Sequence, residues 1–143
     1  MLVSIFGLAR AQALSLSPDA IWLDCRGEFL NMQTGEEYTP PQGFQRTYIF
    51  SLKNKFLWQF RGGVVELWKS PLEVSEVEIS NSKELSVGGG QVHKSDMTVD
   101  RRNLEFLGHS REYIDGKLDS SISLIERGSC KITPPQKIEA RKF

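Results

Sequence analysis

The chain has 143 residues, 39% of them apolar and 25% charged, which is the composition of a folded globular domain and excludes a disordered chain. Its 18 basic and 18 acidic residues cancel, so no long-range field draws phosphate backbones or anionic lipid, and nucleic acid is excluded as the expected partner. At this length one domain with a real core is expected, and no stretch supplies the roughly 18 apolar residues of a membrane span.

The run Met1-Leu2-Val3-Ser4-Ile5-Phe6-Gly7-Leu8-Ala9 followed by Ala11-Gln12-Ala13 reads as a leader with a small-residue cleavage site, although no Lys or Arg precedes the apolar run. The alternative is a short amphipathic helix of a cytosolic protein. With residues 1–13 as leader, residues 14–132 form a single β domain, and 133–143 are expected to be an extended, loosely held tail.

Beyond the leader, the dominant period is two. In Ile21-Trp22-Leu23-Asp24-Cys25-Arg26-Gly27-Glu28-Phe29 the odd positions are apolar or small, which is the mark of a strand with one buried face and places Cys25 on it. Residues 31–45 read as a long loop. Arg46 to Lys53 is a strand with Tyr48, Phe50 and Leu52 on one side. Phe56, Trp58 and Phe60 share a face of the next strand, and Gly62-Gly63 turns into Val64–Lys69. Ser70-Pro71 interrupts the pattern, and a bulge or turn is expected at Ser75-Glu76 within 72–80. Asn81-Ser82-Lys83 reads as a turn, Leu85-Ser86-Val87 as a short strand, and residues 88–96 as a mobile loop. Strands are expected at 97–99, 104–107, 121–126 and 128–132, with 108–119 undecided.

Short strands with turn signals every 8–12 residues predict an all-β fold. The expected form is an antiparallel up-and-down barrel of about eight strands, the alternative a β-sandwich. Cys25 and Cys130 are the only cysteines, so an exported protein would pair them, joining first and last strands. That pairing needs Cα atoms within about 7 Å, which a closed meander provides. The outline resembles small exported bacterial β proteins, through Cys25 on the first strand, Val99-Asp100-Arg101 entering a turn, and Gly128-Ser129-Cys130-Lys131. It is also similar to the periplasmic C-type lysozyme inhibitors, whose Ser-Gly-x-x-Tyr signature is not found. The lipocalin Gly-x-Trp is missing, since Ala20 stands two residues before Trp22.

No motif for catalysis, metal or cofactor stands out. His93, with Ser95 and Asp96 nearby, and His109 lack the spacing of a triad or a metal site and read as solvated loop residues. Asp100-Arg101 and Glu126-Arg127 read as surface pairs rather than a carboxylate dyad. Tyr48, Phe50, Phe56, Trp58, Phe60 and Trp68 fall within 21 residues and are expected to form one apolar wall, rimmed by Arg61, Glu66 and Lys69. The expectation is therefore a monomeric, periplasmic or secreted, non-catalytic binding protein. It would hold a small apolar ligand or lipid against that wall, in a cavity of about 300 Å³ or more. The alternative is a module that engages an envelope protein through loops 31–45 and 88–96, and a remote one is a hydrolase using a histidine.

Overall fold

The structure, a computed structural model, describes residues 19–68 and 71–142. The expected leader, and Lys69 of the expected rim, lie outside the described residues. The chain forms ten strands: β1 (Ala20–Asn31), β2 (Gly43–Ser51), β3 (Phe56–Arg61), β4 (Val64–Trp68), β5 (Glu73–Val74), β6 (Glu78–Gly88), β7 (Gln91–Asp100), β8 (Glu105–Ile114), β9 (Lys117–Ile132) and β10 (Ala140–Lys142). They lie in one sheet of order β10-β4-β3-β2-β1-β9-β8-β7-β6-β5. β1 to β9 pair antiparallel, whereas β10 runs parallel to β4.

The sheet curls into a half-barrel rather than the expected closed barrel. The order is that of an up-and-down meander whose first and ninth strands are joined. Its gap falls mid-chain, between β4 and β5, which are consecutive in sequence yet unpaired. Two features keep it open. β10 occupies the outer edge of β4, pairing Ala140 with Val64 and Arg141 with Val65. β5 offers only two residues, just after Pro71, which has no N–H to give a ladder.

The seam between chain ends is as expected. Cys25 and Cys130 face each other in register and are disulfide-bonded, with Cα atoms 4.0 Å apart. Two residues along, Gly27 faces Gly128, and a Cβ on either would collide with the other strand's backbone. In register this row reads Phe44–Gly27–Gly128–Phe106, and the two phenylalanine rings meet over the glycines at 5.5 Å. The Gly62-Gly63 hairpin is also as expected, both residues having positive φ as a type I′ turn requires.

Two apolar clusters result, one on each face. Inside the curl lie Leu23, Cys25, Tyr48, Phe50, Leu57, Leu72, Ile79, Met97, Val99, Phe106 and Cys130. Leu72 closes this core across the gap: its N–H donates to the Lys55 carbonyl (2.9 Å), and Asn81 Nδ2 donates to the Pro71 carbonyl (3.2 Å). On the outer face Trp22, Ile49, Trp58, Val65 and Ile138 pack together, with Phe60 and Leu67 beside them. The segment after β9, expected to be loosely held, covers this face. Ile138 is buried, Thr133 N–H donates to the Trp22 carbonyl (2.9 Å), and Glu139 N–H donates to the Gly63 carbonyl (2.7 Å).

The second half of the chain is more regular than expected. Asn81-Ser82-Lys83 is not a turn but the middle of β6, and residues 88–96 are not a loop but the end of β6, a tight turn and half of β7. The undecided 108–119 completes the β8–β9 hairpin. Opposite Arg111, β9 advances five residues, from Asp119 to Leu124, against two on β8, and Ser123 is fully buried in this bulge.

Candidate ligand-binding site

Register decides which aromatic residues meet. In β2 and β3 the pairs are Tyr48–Gln59, Ile49–Trp58 and Phe50–Leu57. Directly opposed residues share a face, so Tyr48 and Phe50 point inward while Trp58 and Phe60 point outward with Ile49. The expected six-residue wall is thus divided. Tyr48, Phe50 and Trp68 belong to the inner face; Trp58 and Phe60 belong to the outer cluster, Phe60 meeting Trp22 at 5.2 Å; Phe56 is 47% exposed at the start of β3. The inner aromatic series instead recruits Phe29, Phe44 and Phe106. Phe29 meets Phe44, Phe44 meets Phe106, Phe106 stacks on Tyr48 at 6.1 Å, and the Trp68 ring stands edge-on to Tyr48 at 5.9 Å.

Along each strand the inward positions change character at one level. β2 runs Phe50, Tyr48, Arg46; β3 runs Leu57, Gln59, Arg61; β7 runs Val99, Met97, Ser95, His93; β9 runs Cys130, Gly128, Glu126. Below Tyr48 and Met97 the curl is filled by apolar side chains. Above them it opens into a pocket of about 280 Å³, at the small end of ligand cavities and close to the volume expected from the sequence. Tyr48 lies at its base. Its walls come from both arms of the sheet, with Arg46, Gln59, Arg61 and Trp68 on one side and Lys83, His93, Ser95, Ser110 and Glu126 on the other. At the mouth the Lys83 ammonium sits 4.2 Å over the Trp68 ring, a cation–π contact across the gap between β4 and β6.

The electrostatics are specific. Arg46 makes a bidentate ion pair with Glu126 (2.6 and 2.8 Å), lies over the Phe44 ring at 4.9 Å, and approaches the Tyr48 hydroxyl at 3.3 Å. Burial alone would ease the proton off Arg46, but the Glu126 carboxylate outweighs it and raises the guanidinium's pKa. Burial pushes the Tyr48 phenol up, opposed by the charges of Arg46 and Arg61. His93 Nδ1 lies 2.5 Å from Glu112 Oε1, and Gln91 Nε2 donates to Glu112 Oε2 at 3.0 Å. Burial works against the Glu112 anion, yet these two hydrogen bonds hold its carboxyl below the usual range. His109 Nδ1 lies 2.8 Å from Asp96 Oδ1, and Arg111 donates to Asp96 Oδ2 at 2.5 Å.

Both histidines therefore belong to strands and to carboxylates rather than to solvated loops. The Ser95 hydroxyl, buried beside them, has no hydrogen-bond partner among the described residues, so no serine–histidine contact of a nucleophile and its base is made there. Among the described residues no three or more His, Cys, Asp and Glu side chains gather to hold a metal. The surface pairs expected from sequence neighbours are made elsewhere: Asp100 pairs with Arg102, whose hydrogen bonds hold its carboxyl at about 2, Glu126 with Arg46, and Arg127 with Glu28.

Sequence reasoning missed Arg46, Lys83 and Glu126 as wall residues. Arg46 continues the inward phase of Tyr48 and Phe50, and Glu126 that of Cys130, so a charged residue in step with an apolar face was the available signal. Comparison with protein-family models, curated proteins and solved structures finds no match to this chain. Among the described residues no helix is long and apolar enough to cross a membrane. The disulfide is compatible with an extracellular location.

Proposed function

We propose that the protein is a periplasmic or secreted, non-catalytic binding protein whose concave pocket receives a small amphiphilic molecule. The observation that carries this reading is the pocket itself, which unites an aromatic base and side, Tyr48 and Trp68, with polar walls drawn from both arms of one curled sheet. Pockets with an apolar surface and a few convergent polar groups are the usual seats of small ligands. The purely apolar ligand or lipid expected from the aromatic count is refined accordingly: Phe50 does not line the cavity and Trp58 faces outward, leaving Trp68, with the buried Tyr48 at the base, as its aromatic lining. Export is favoured by the single disulfide, which persists in oxidising compartments.

Native mass spectrometry of the protein purified from its host tests the reading. A co-purifying small molecule that is lost on Trp68→Ala, with the fold retained, is expected. An adduct-free protein whose spectrum is indifferent to that change overturns it. A second reading, docking of a protein partner at the strand ends, is favoured by Leu85 and Val87, which are 57% and 51% exposed near the β6–β7 turn.

A further inference from the structure

We infer that the ligand of this pocket is a small organic anion with an apolar body, and that Arg61 and Lys83 seat its charged group. The inference rests on the binding reading above and adds the ligand's class. It comes from the pairing of charges around the cavity. Glu126 is consumed by Arg46, and Asp96 by His109 and Arg111. Glu112 is consumed by His93 and Gln91. Arg61 and Lys83, facing in from β3 and β6, have no carboxylate within ion-pair distance among the described residues. Glu66 stands opposite Gln59 on the same face of β4 and shares a smaller adjoining hollow with Arg61, but it makes no ion pair with Arg61 and does not line the larger cavity.

The chain as a whole is neutral, whereas the cavity lining, with its histidines neutral, carries Arg46, Arg61 and Lys83 against Asp96 and Glu126, a local excess of one positive charge at the open end of a walled cleft. Low-dielectric walls focus such a field and raise the local concentration of anions. The donors remain usable. The Lys83 ammonium is held by the Trp68 ring through a cation–π contact, which leaves other N–H bonds of its three to donate. Arg61 presents a planar fork suited to two oxygens of one acid group. The Ser95 hydroxyl, without a partner among the described residues, adds a neutral donor on the same inner face. Tyr48 and Trp68 then provide the apolar contact for the remainder of the molecule.

The test uses two dyes with the same aromatic body, anionic 1-anilinonaphthalene-8-sulfonate and neutral N-phenyl-1-naphthylamine, titrated by fluorescence into the oxidised full chain at low salt. The sulfonate is expected to bind about tenfold more tightly. Arg61→Gln and Lys83→Gln should each weaken it about fivefold while changing the neutral dye less than twofold, and Arg61→Lys, which keeps the charge but not the fork, should recover only part of the loss. Thermal melts of each variant verify that the fold is kept. Equal binding of both dyes, sensitive to Trp68→Ala but not to the charge variants, overturns the anionic seat and leaves the pocket a binding site. Failure of either dye to respond to Trp68→Ala overturns the pocket reading itself.

Discussion

The inner face of the half-barrel is divided between two halves that share the same strands. In the lower half Phe50, Leu57, Val99 and Phe106 fill the curl and the disulfide lies among them. In the upper half the same strands present Arg46, Arg61, Ser95 and Ser110 to an open cavity. The backbone is one sheet throughout, so the difference lies in side chains: the lower half gains stability by excluding water, and the upper half lines an open cavity with polar groups. Packed core and polar cavity are thereby separated along the strand direction, and substitutions should sort by level rather than by strand.

The largest effect should come from the seam under the filled half. The disulfide spans 105 residues, and removing the crosslink with Cys25→Ser and Cys130→Ser together should cost about 4–5 kcal/mol in the chain-entropy account. Urea titration of the oxidised protein against the double variant measures it, and a loss below about 1 kcal/mol would show that the unfolded chain is already held compact there. Next is Phe106→Ala, which removes a buried ring that contacts both Phe44 and Tyr48 and should cost about 3–5 kcal/mol. Ser110→Ala, two turns of the pleat higher on β8, should stay within about 0.5 kcal/mol. Equal costs at the two positions would erase the distinction between the halves.

That distinction also explains how much of the fold is legible in the chain. Where the curl is filled, alternation is strong: Ile21, Leu23 and Cys25 are one face of β1, and both the strand and the Cys25–Cys130 pairing can be read from it. Where both faces meet water the alternation vanishes. Ser82 to Glu84 and Val92 to Asp96 carry polar residues on either side, so the middle of β6 and the first half of β7 resemble a turn and a loop. Trp58 and Phe60 share a face as their spacing implies, but which face of β2 they join depends on a register that no single strand encodes. The covering of the outer face by Ile138 is hidden for a related reason, since one apolar residue in a polar tail has no periodicity. The opening between β4 and β5 follows from Pro71, which is visible in the sequence, and from the capture of the β4 edge by β10, which is not.

A sharper probe of the boundary is Glu126→Gln. The glutamate is mostly buried at the lower edge of the cavity and is the counter-charge of Arg46. Removing its charge leaves the guanidinium partly desolvated beside Phe29 and Phe44, at a cost of about 2 kcal/mol. The double change Arg46→Met with Glu126→Leu should recover much of that loss, because an apolar pair needs no compensation. If it does, the ion pair extends the polar half at the expense of stability. A double variant less stable than Glu126→Gln alone would instead make the pair part of the scaffold.

A smaller effect than at Glu126 is expected at His93 and Glu112 on the inner face. The hydrogen bonds from Gln91 and His93 hold the Glu112 carboxyl below its ordinary value against the opposing influence of burial. A carboxyl depressed in the folded state contributes stability that is present above its unfolded pKa and is lost as pH falls through the folded one. The wild-type chain should therefore melt about 2–4 °C above Glu112→Gln at pH 6, and the two curves should converge between roughly pH 5 and pH 3. Melting series at half-unit pH steps would show it. A difference that persists unchanged to pH 3 would mean that Gln91 and His93 hold the neutral side chain as well as the anion, and that charge does not order the upper half of the sheet.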